Sequence, residues 1–167
     1  MKHKVVNKQY ISKDCFICGI DNKSGLGVRF FELENGDVVG EFTARVYHQS
    51  YPGRVHGGVL SALLDEAMGR AISITEPETF AVTVDMSISF KKPVPYDTKL
   101  LVVGRVTENS KRVYEGYGEI ILPDGQVAAI GSGKYFKMPI NKIAKQSDID
   151  GMLFFLDEEN DPKEIEY

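Results

Sequence analysis

Residues 57–71, GGVLSALLDEAMGRA, are the one long stretch of this chain with a helical hydrophobic period. With Leu60 at zero and about 100° per residue, Leu63, Leu64, Ala67 and Ala71 fall within about 60° of it and Met68 at about 80°. The helix therefore has a wide apolar stripe to bury. The segments around it read as strands: Gly25–Leu33, Val38–Ala44, Ala81–Phe90, Leu100–Glu108, Val113–Leu122 and Gln126–Phe136. Asn35-Gly36 and Pro123-Asp124-Gly125-Gln126 are hairpin turns, and hairpins pair their strands antiparallel. Residues 45–55 form a loop through Pro52-Gly53. One apolar helix with several such strands predicts an α+β fold in which a sheet curls around the helix. Ala81–Phe90 alternates, with Val82, Val84, Met86, Ile88 and Phe90 on one face and Thr83, Asp85, Ser87 and Ser89 on the other. It is expected to be a half-buried strand.

Two acids, Asp65 and Glu66, interrupt the helix. Asp65 lies at about 140°, on a face with Ala62 and Gly69, where small side chains admit a close neighbour: a helix, a subunit or a ligand. Glu66 points to about −120°, an ordinary place for a solvated acid. Both acids could be plain surface residues of an amphipathic helix. The His56-Gly57-Gly58 start adds chemistry: glycines let a substrate approach the backbone, and free N–H groups at a helix start stabilise an oxyanion.

Composition narrows the function. The chain has 167 residues, 43% hydrophobic and 26% charged, with net charge −4. Residues 148–167 carry Asp148, Asp150, Asp157, Glu158, Glu159, Asp161, Glu164 and Glu166 against Lys163 alone, −7, leaving +3 on residues 1–147. A mildly basic body suits a phosphate-bearing small ligand and is too weak for a nucleic-acid footprint. The acidic end reads as a solvated tail. The polar, basic first residues and the lack of a long apolar run predict a cytoplasmic protein without a membrane partner. Cys15 and Cys18 form a C-x-x-C. His3, His48 and His56 do not supply the usual second pair of zinc ligands, so no metal is expected. Gly19 and a polar loop follow where a redox motif would open a helix, so two reduced, partly buried thiols are expected. Residues 139–156 could form a short amphipathic helix.

HGGVLSALLDEAMG (56–69) followed by TVDMSISFKKPVP (83–95) resembles the hot-dog-fold acyl-CoA thioesterases of the 4-hydroxybenzoyl-CoA thioesterase superfamily, especially the phenylacetic-acid-degradation branch. CFICGIDNKSGLGVRF (15–30) resembles the N-terminal segment of some members. The resemblance divides the chain into an N-terminal arm (1–24), a hot-dog domain (25–138) and an acidic C-terminal extension (139–167). It implies hydrolysis of an acyl-CoA or aryl-CoA thioester, with Asp65 as general base or nucleophile and the Gly57 N–H polarising the carbonyl. His56 would shape the site and Thr83 assist the attacking water. Gly58, Gln49 and Ser50 would contact substrate, Gln49 or Ser50 standing near where some members carry Asn or Gln. Lys91 and Lys92, with Lys111 and Arg112, are either solvated or bound to CoA phosphates. No cofactor is implied, coenzyme A being part of the substrate. The resembling proteins are homodimers or dimers of dimers (homotetramers), and Gly57 and Asp65, about 12 Å apart along one helix, suit a site shared by two chains.

Two other readings remain. A non-catalytic acyl-CoA sensor would keep the pocket without needing Asp65. SYPGRVHGGVL also resembles the HFPG segment of hot-dog β-hydroxyacyl dehydratases, but the position of that family's catalytic Glu is Leu63 here.

Overall fold

The computed structural model describes residues 1–145, 153–156 and 159–167. Ten strands and two α-helices appear among them. The strands are β1 (Lys2–Lys8), β2 (Ile11–Ser12), β3 (Arg29–Leu33), β4 (Val38–Thr43), β5 (Phe80–Phe90), β6 (Lys99–Asn109), β7 (Val113–Ile121), β8 (Val127–Met138), β9 (Leu153–Phe154) and β10 (Glu164–Glu166). The helices are α1 (Gly57–Arg70), continued by a 3-10 turn over Ala71–Ile74, and the short α2 (Ile140–Ile143). Eight strands make one sheet in the order β10-β1-β3-β4-β6-β7-β8-β5, every neighbour antiparallel. β2 and β9 pair separately.

The apolar stripe of α1 behaves as its period predicts. Leu60, Leu63, Leu64, Ala67, Met68 and Ala71 are buried against the sheet. A row of glycines forms the seat. Gly104, Gly118 and Gly131 stand in register across β6, β7 and β8. A Cβ on Gly104 would overlap the Ala67 carbonyl and come within 2.9 Å of the Met68 nitrogen. One on Gly118 or Gly131 would sit 3.1 Å from the Met68 side chain. Only a bare backbone lets the helix lie this low. The tight hairpins are also as expected: Gly36 and Gly125 take φ of 85° and 79°, the left-handed region open to glycine.

β5 departs from simple alternation. Its pairing with β8 shifts between Thr83 and Asp85, a bulge at Val84. The bulge reverses the parity of the strand. Thr83 therefore turns toward α1, on the face of Ala81, Met86 and Ile88, which pack on the core. Asp85 and Ser87 line a groove on the other face with Glu115, Tyr117 and Lys134. β5 is also the sheet's last strand, so Val84 (60% exposed) and Phe90 (53% exposed) are uncovered, not half-buried.

Both terminal segments add to the sheet. The N-terminal arm is extended, but as paired strand β1. The C-terminal end is no free tail: Ile165 on β10 is buried against Phe31, Leu33, Val39 and Val103 on the sheet's outer face. Asp161 accepts from Lys8 at 2.6 Å and pairs with Arg29. Apolar burial and these ion pairs dock the segment despite its charge. Asp148, Asp150, Asp157 and Glu158 lie outside the described residues. In place of one helix over 139–156 there is a single turn, α2, and then β9; residues 146–152 are outside the described set. Among the described residues, no helix is long and apolar enough to cross a membrane.

Candidate active site

The start of α1 is built by its own histidine. His56 has extended backbone (φ −64°, ψ 136°) and caps the helix, its Nδ1 accepting the Gly58 N–H at 2.8 Å. A Cβ on Gly58 would meet that nitrogen at 3.1 Å. The cap uses the Gly58 donor and leaves its neighbour: among the described residues no acceptor serves the Gly57 N–H. Gly57 lines a cavity of about 310 Å³ with Ser50, Arg54, Phe90, Lys91 and Lys92. The structure thus gathers four of the expected residues and adds Arg54, which sequence reasoning passed over. Gln49 parts company with Ser50. It lines a separate cavity with His48, His56 and Val59. Lys111 and Arg112 are not neighbours of Lys91 and Lys92: their turn lies by the Phe80 end of β5, and the lysines follow its Phe90 end.

Asp65 sits one face away, half-buried. Its Oδ1 accepts from Thr83 Oγ1 at 2.7 Å and from the Tyr135 hydroxyl at 3.1 Å. Among the described residues its Oδ2 takes no donor. Tyr135, on β8, was not foreseen. It is fully buried, stacked on Tyr114 with ring centres 5.0 Å apart, and its ring lies beside Gly69, where an added Cβ would stand 3.7 Å away. Tyr114 in turn donates to the Gly69 carbonyl at 2.8 Å. Burial, and then the Asp65 charge, push both phenols upward, so they remain protonated donors. The close neighbour expected at the small-residue face is therefore this tyrosine and a cavity of about 300 Å³. Tyr10, Phe80, Thr83, Glu66, Arg70 and the two cysteines also line that cavity.

Glu66 is not the solvated acid its helical angle suggested. It pairs with Arg70, one turn on, at 2.8 Å. Arg70 is itself nearly buried, its guanidinium over the rings of Phe30 and Tyr10 and 3.2 Å from Cys18 Sγ. The arm carrying Tyr10 and the cysteines folds over this turn of helix and takes it out of solvent. Cys15, Cys18 and Glu66 place three potential ligand atoms within 4.8 Å of one another. The partial burial expected for the thiols is found, Cys15 half-buried and Cys18 buried, both free.

Gly57 and Asp65 line different cavities of one chain. A free N–H donor and an oriented carboxylate are both present, on the same helix but not at one point.

The family model described as the thioesterase superfamily matches residues 52–129, which include α1, β5, β6 and β7. Tyr135 lies beyond that match. The acyl-coenzyme A thioesterase THEM4 of Bos taurus is 30% identical over 96 residues, 55% of this chain and 38% of that one. The chain spans about two-fifths of the length of the first curated relatives it matches. Among solved structures, a thioesterase-superfamily protein superposes with a TM-score of 0.70 at 28% identity, covering 75% of this chain and 61% of that one. The Escherichia coli PaaI protein of the phenylacetic acid degradation operon has the same fold, with a TM-score of 0.61 at 23% identity over 68% of this chain and 80% of its own. With its helix seated in an antiparallel sheet, the chain has the hot-dog fold, and residues 52–129, from the entry to that helix to the last strands of the sheet, match the thioesterase superfamily.

Proposed function

We propose that this protein hydrolyses an acyl-CoA or aryl-CoA thioester, with Asp65 as the base. The observation that carries the reading is the asymmetry of that carboxylate. Oδ1 is held by Thr83 and Tyr135, and Oδ2 is left for a water. Thr83 gives its hydrogen to Asp65, so its oxygen lone pairs can accept a hydrogen bond from the same water. This favours general-base attack by water over direct attack by Asp65, since Oδ2 and the Thr83 oxygen together can hold that water. The Gly57 N–H, at the positive end of α1, would receive the developing oxyanion. Arg54, Lys91 and Lys92 beside it supply positive charge for CoA phosphates. The thiolate of CoA leaves readily, so these residues suffice for the chemistry without a cofactor.

The two halves of such a site would come from two chains. β5 supports this: an eleven-residue edge strand with exposed Val82, Val84 and Phe90 offers a surface for two-fold pairing. The alternative within the fold, dehydration, has little to stand on, because Leu63 is fully buried in the core. A non-catalytic sensor of the same ligand would bind acyl-CoA without turnover. Asp65→Asn separates the cases. It should bind a non-hydrolysable acyl-CoA analogue as wild type does, and release thiol about 10²–10⁴-fold more slowly. Wild-type protein that binds the analogue yet releases no thiol from a panel of acyl-CoAs and aryl-CoAs would favour the sensor.

A further inference from the structure

Cys15 and Cys18 stand in the wall of the Asp65 cavity, in a turn that directs polar hydrogens at sulfur. Cys15 Sγ accepts the N–H groups of Ile17 and Cys18, at 3.3 and 3.4 Å. The Gly19 N–H closes the turn onto the Cys15 carbonyl at 2.9 Å. No side chain fits at Gly19, where a Cβ would come within 2.6 Å of the Cys15 nitrogen. Cys18 Sγ accepts from the Ser12 N–H at 3.3 Å and from Arg70 Nη2 at 3.2 Å.

These contacts divide one proton unequally. The hydrogen bond from the Cys18 thiol, aided by the backbone N–H groups and opposed by burial, holds Cys15 down at about 6. The same bond and burial push Cys18 up. Cys15 is thus the more acidic of the two thiols. Exposure follows the same division: Cys15 opens on the cavity and Cys18 is 1% exposed. A metal ion fits less well than it first looks, because Arg70 already neutralises Glu66 and reaches Cys18. A cation would have to displace a guanidinium fixed by Glu66, the Tyr10 carbonyl and two aromatic rings.

We propose that Cys15 and Cys18 are a redox-active dithiol, with Cys15 the nucleophile, Cys18 the resolving thiol, and small-molecule disulfides the oxidant. The Cys15 thiolate attacks one sulfur of the disulfide RSSR, forming Cys15–S–SR and expelling RS⁻. Cys18 then gives its proton to the departing sulfur and attacks Cys15, forming the Cys15–Cys18 disulfide and RSH. The protein loses two electrons, and RSSR gains them as RS⁻ and RSH. Arg70, beside Cys18 Sγ, steadies the negative charge that passes through the second sulfur. This chemistry does not depend on the hydrolytic role of Asp65.

The test uses the full reduced chain, glutathione disulfide at pH 7, and intact mass after the remaining thiols are alkylated with iodoacetamide. Wild type should lose both thiols and retain no glutathione. Cys18→Ser should keep one glutathione on Cys15. Cys15→Ser should react at least about tenfold more slowly than Cys18→Ser. A brief exposure of wild type to iodoacetamide, read by peptide mapping, should label Cys15 before Cys18, which covers the case of a variant that does not fold. Three results each overturn the proposal: two thiols surviving in wild type, equal reactivity of the cysteines, or purified protein carrying stoichiometric zinc on them.

Discussion

A site divided between chains makes a quantitative demand on mixtures of inactive variants. Asp65→Ala removes the base. Gly57→Pro removes the N–H, and the structure indicates that it is tolerable: Gly57 is the first residue of α1, where proline fits, and His56 before it already has the extended backbone that proline requires. The added Cβ would stand 3.3 Å from the tip of the Phe90 ring, a contact with the end of a side chain and not with backbone. Gly57 and Asp65 are eight positions apart on α1, roughly 12 Å at 1.5 Å per residue, and reacting atoms must lie within about 3–3.5 Å of the groups that serve them. Each variant alone should be nearly inactive. Refolded together in equal amounts, roughly half the dimers should be mixed. Each mixed dimer has one site with both defects and one with neither, so activity should return to about a quarter of wild type. The assay is thiol release from the best acyl-CoA, with mixed dimers counted by native mass spectrometry. If folded mixed dimers are present and no activity returns, one chain supplies both groups and the reasoning fails.

Tyr135→Phe keeps the ring stack but removes one donor to a charged acceptor, worth about 1.5–3 kcal/mol, so kcat should fall roughly tenfold or more with KM little changed; an unaltered kcat would leave Thr83 as the sole orienting group. Gly104→Ala should destabilise by about 3 kcal/mol, the upper end of overpacking costs, because the obstacle is helix backbone and not a movable side chain; a urea midpoint equal to wild type would deny the close approach. Alkylation of Cys15 should rise as pH increases through about 6 and level off above it, since the thiolate is the reactive form, whereas an ordinary thiol keeps rising toward about 8.5; a profile of the second kind removes the proposed stabilisation. The double variant Cys15→Ser, Cys18→Ser should still hydrolyse thioester if it folds, and loss of turnover from a folded double variant would tie the pair to the reaction.

How far the sequence could be read depended on whether a feature was local. The burial of Leu60, Leu63, Leu64, Ala67 and Met68 follows from helical period alone, and the turns at Gly36 and Gly125 from two or three residues. The side chain of Thr83 could not be aimed in this way. A bulge at Val84 depends on what β8 offers across the ladder, and the run AVTVDMSISF alternates just as well without it. Tyr135 meets Asp65 across 70 positions of chain, and Arg70 meets Cys18 across 52. Such contacts have no period, and only the folded sheet brings them together. The acidic end misled for another reason. Its average charge describes a solvated segment, yet Ile165 and Asp161 alone give it an apolar anchor and two ion pairs.

Gly104 sets the backbone of β6 directly against the backbone of α1. That contact has no rotamers, so at Ala67 and Met68 the helix that carries Asp65 is held at a height set by backbone. The cavity walls come from elsewhere: Tyr10 from the arm, Phe80 from the start of β5, Ile140 and Leu153 from the C-terminal segment. Substitution can reshape those walls while the helix keeps its datum. The shape of the cavity is therefore free to change around a reference point that does not move.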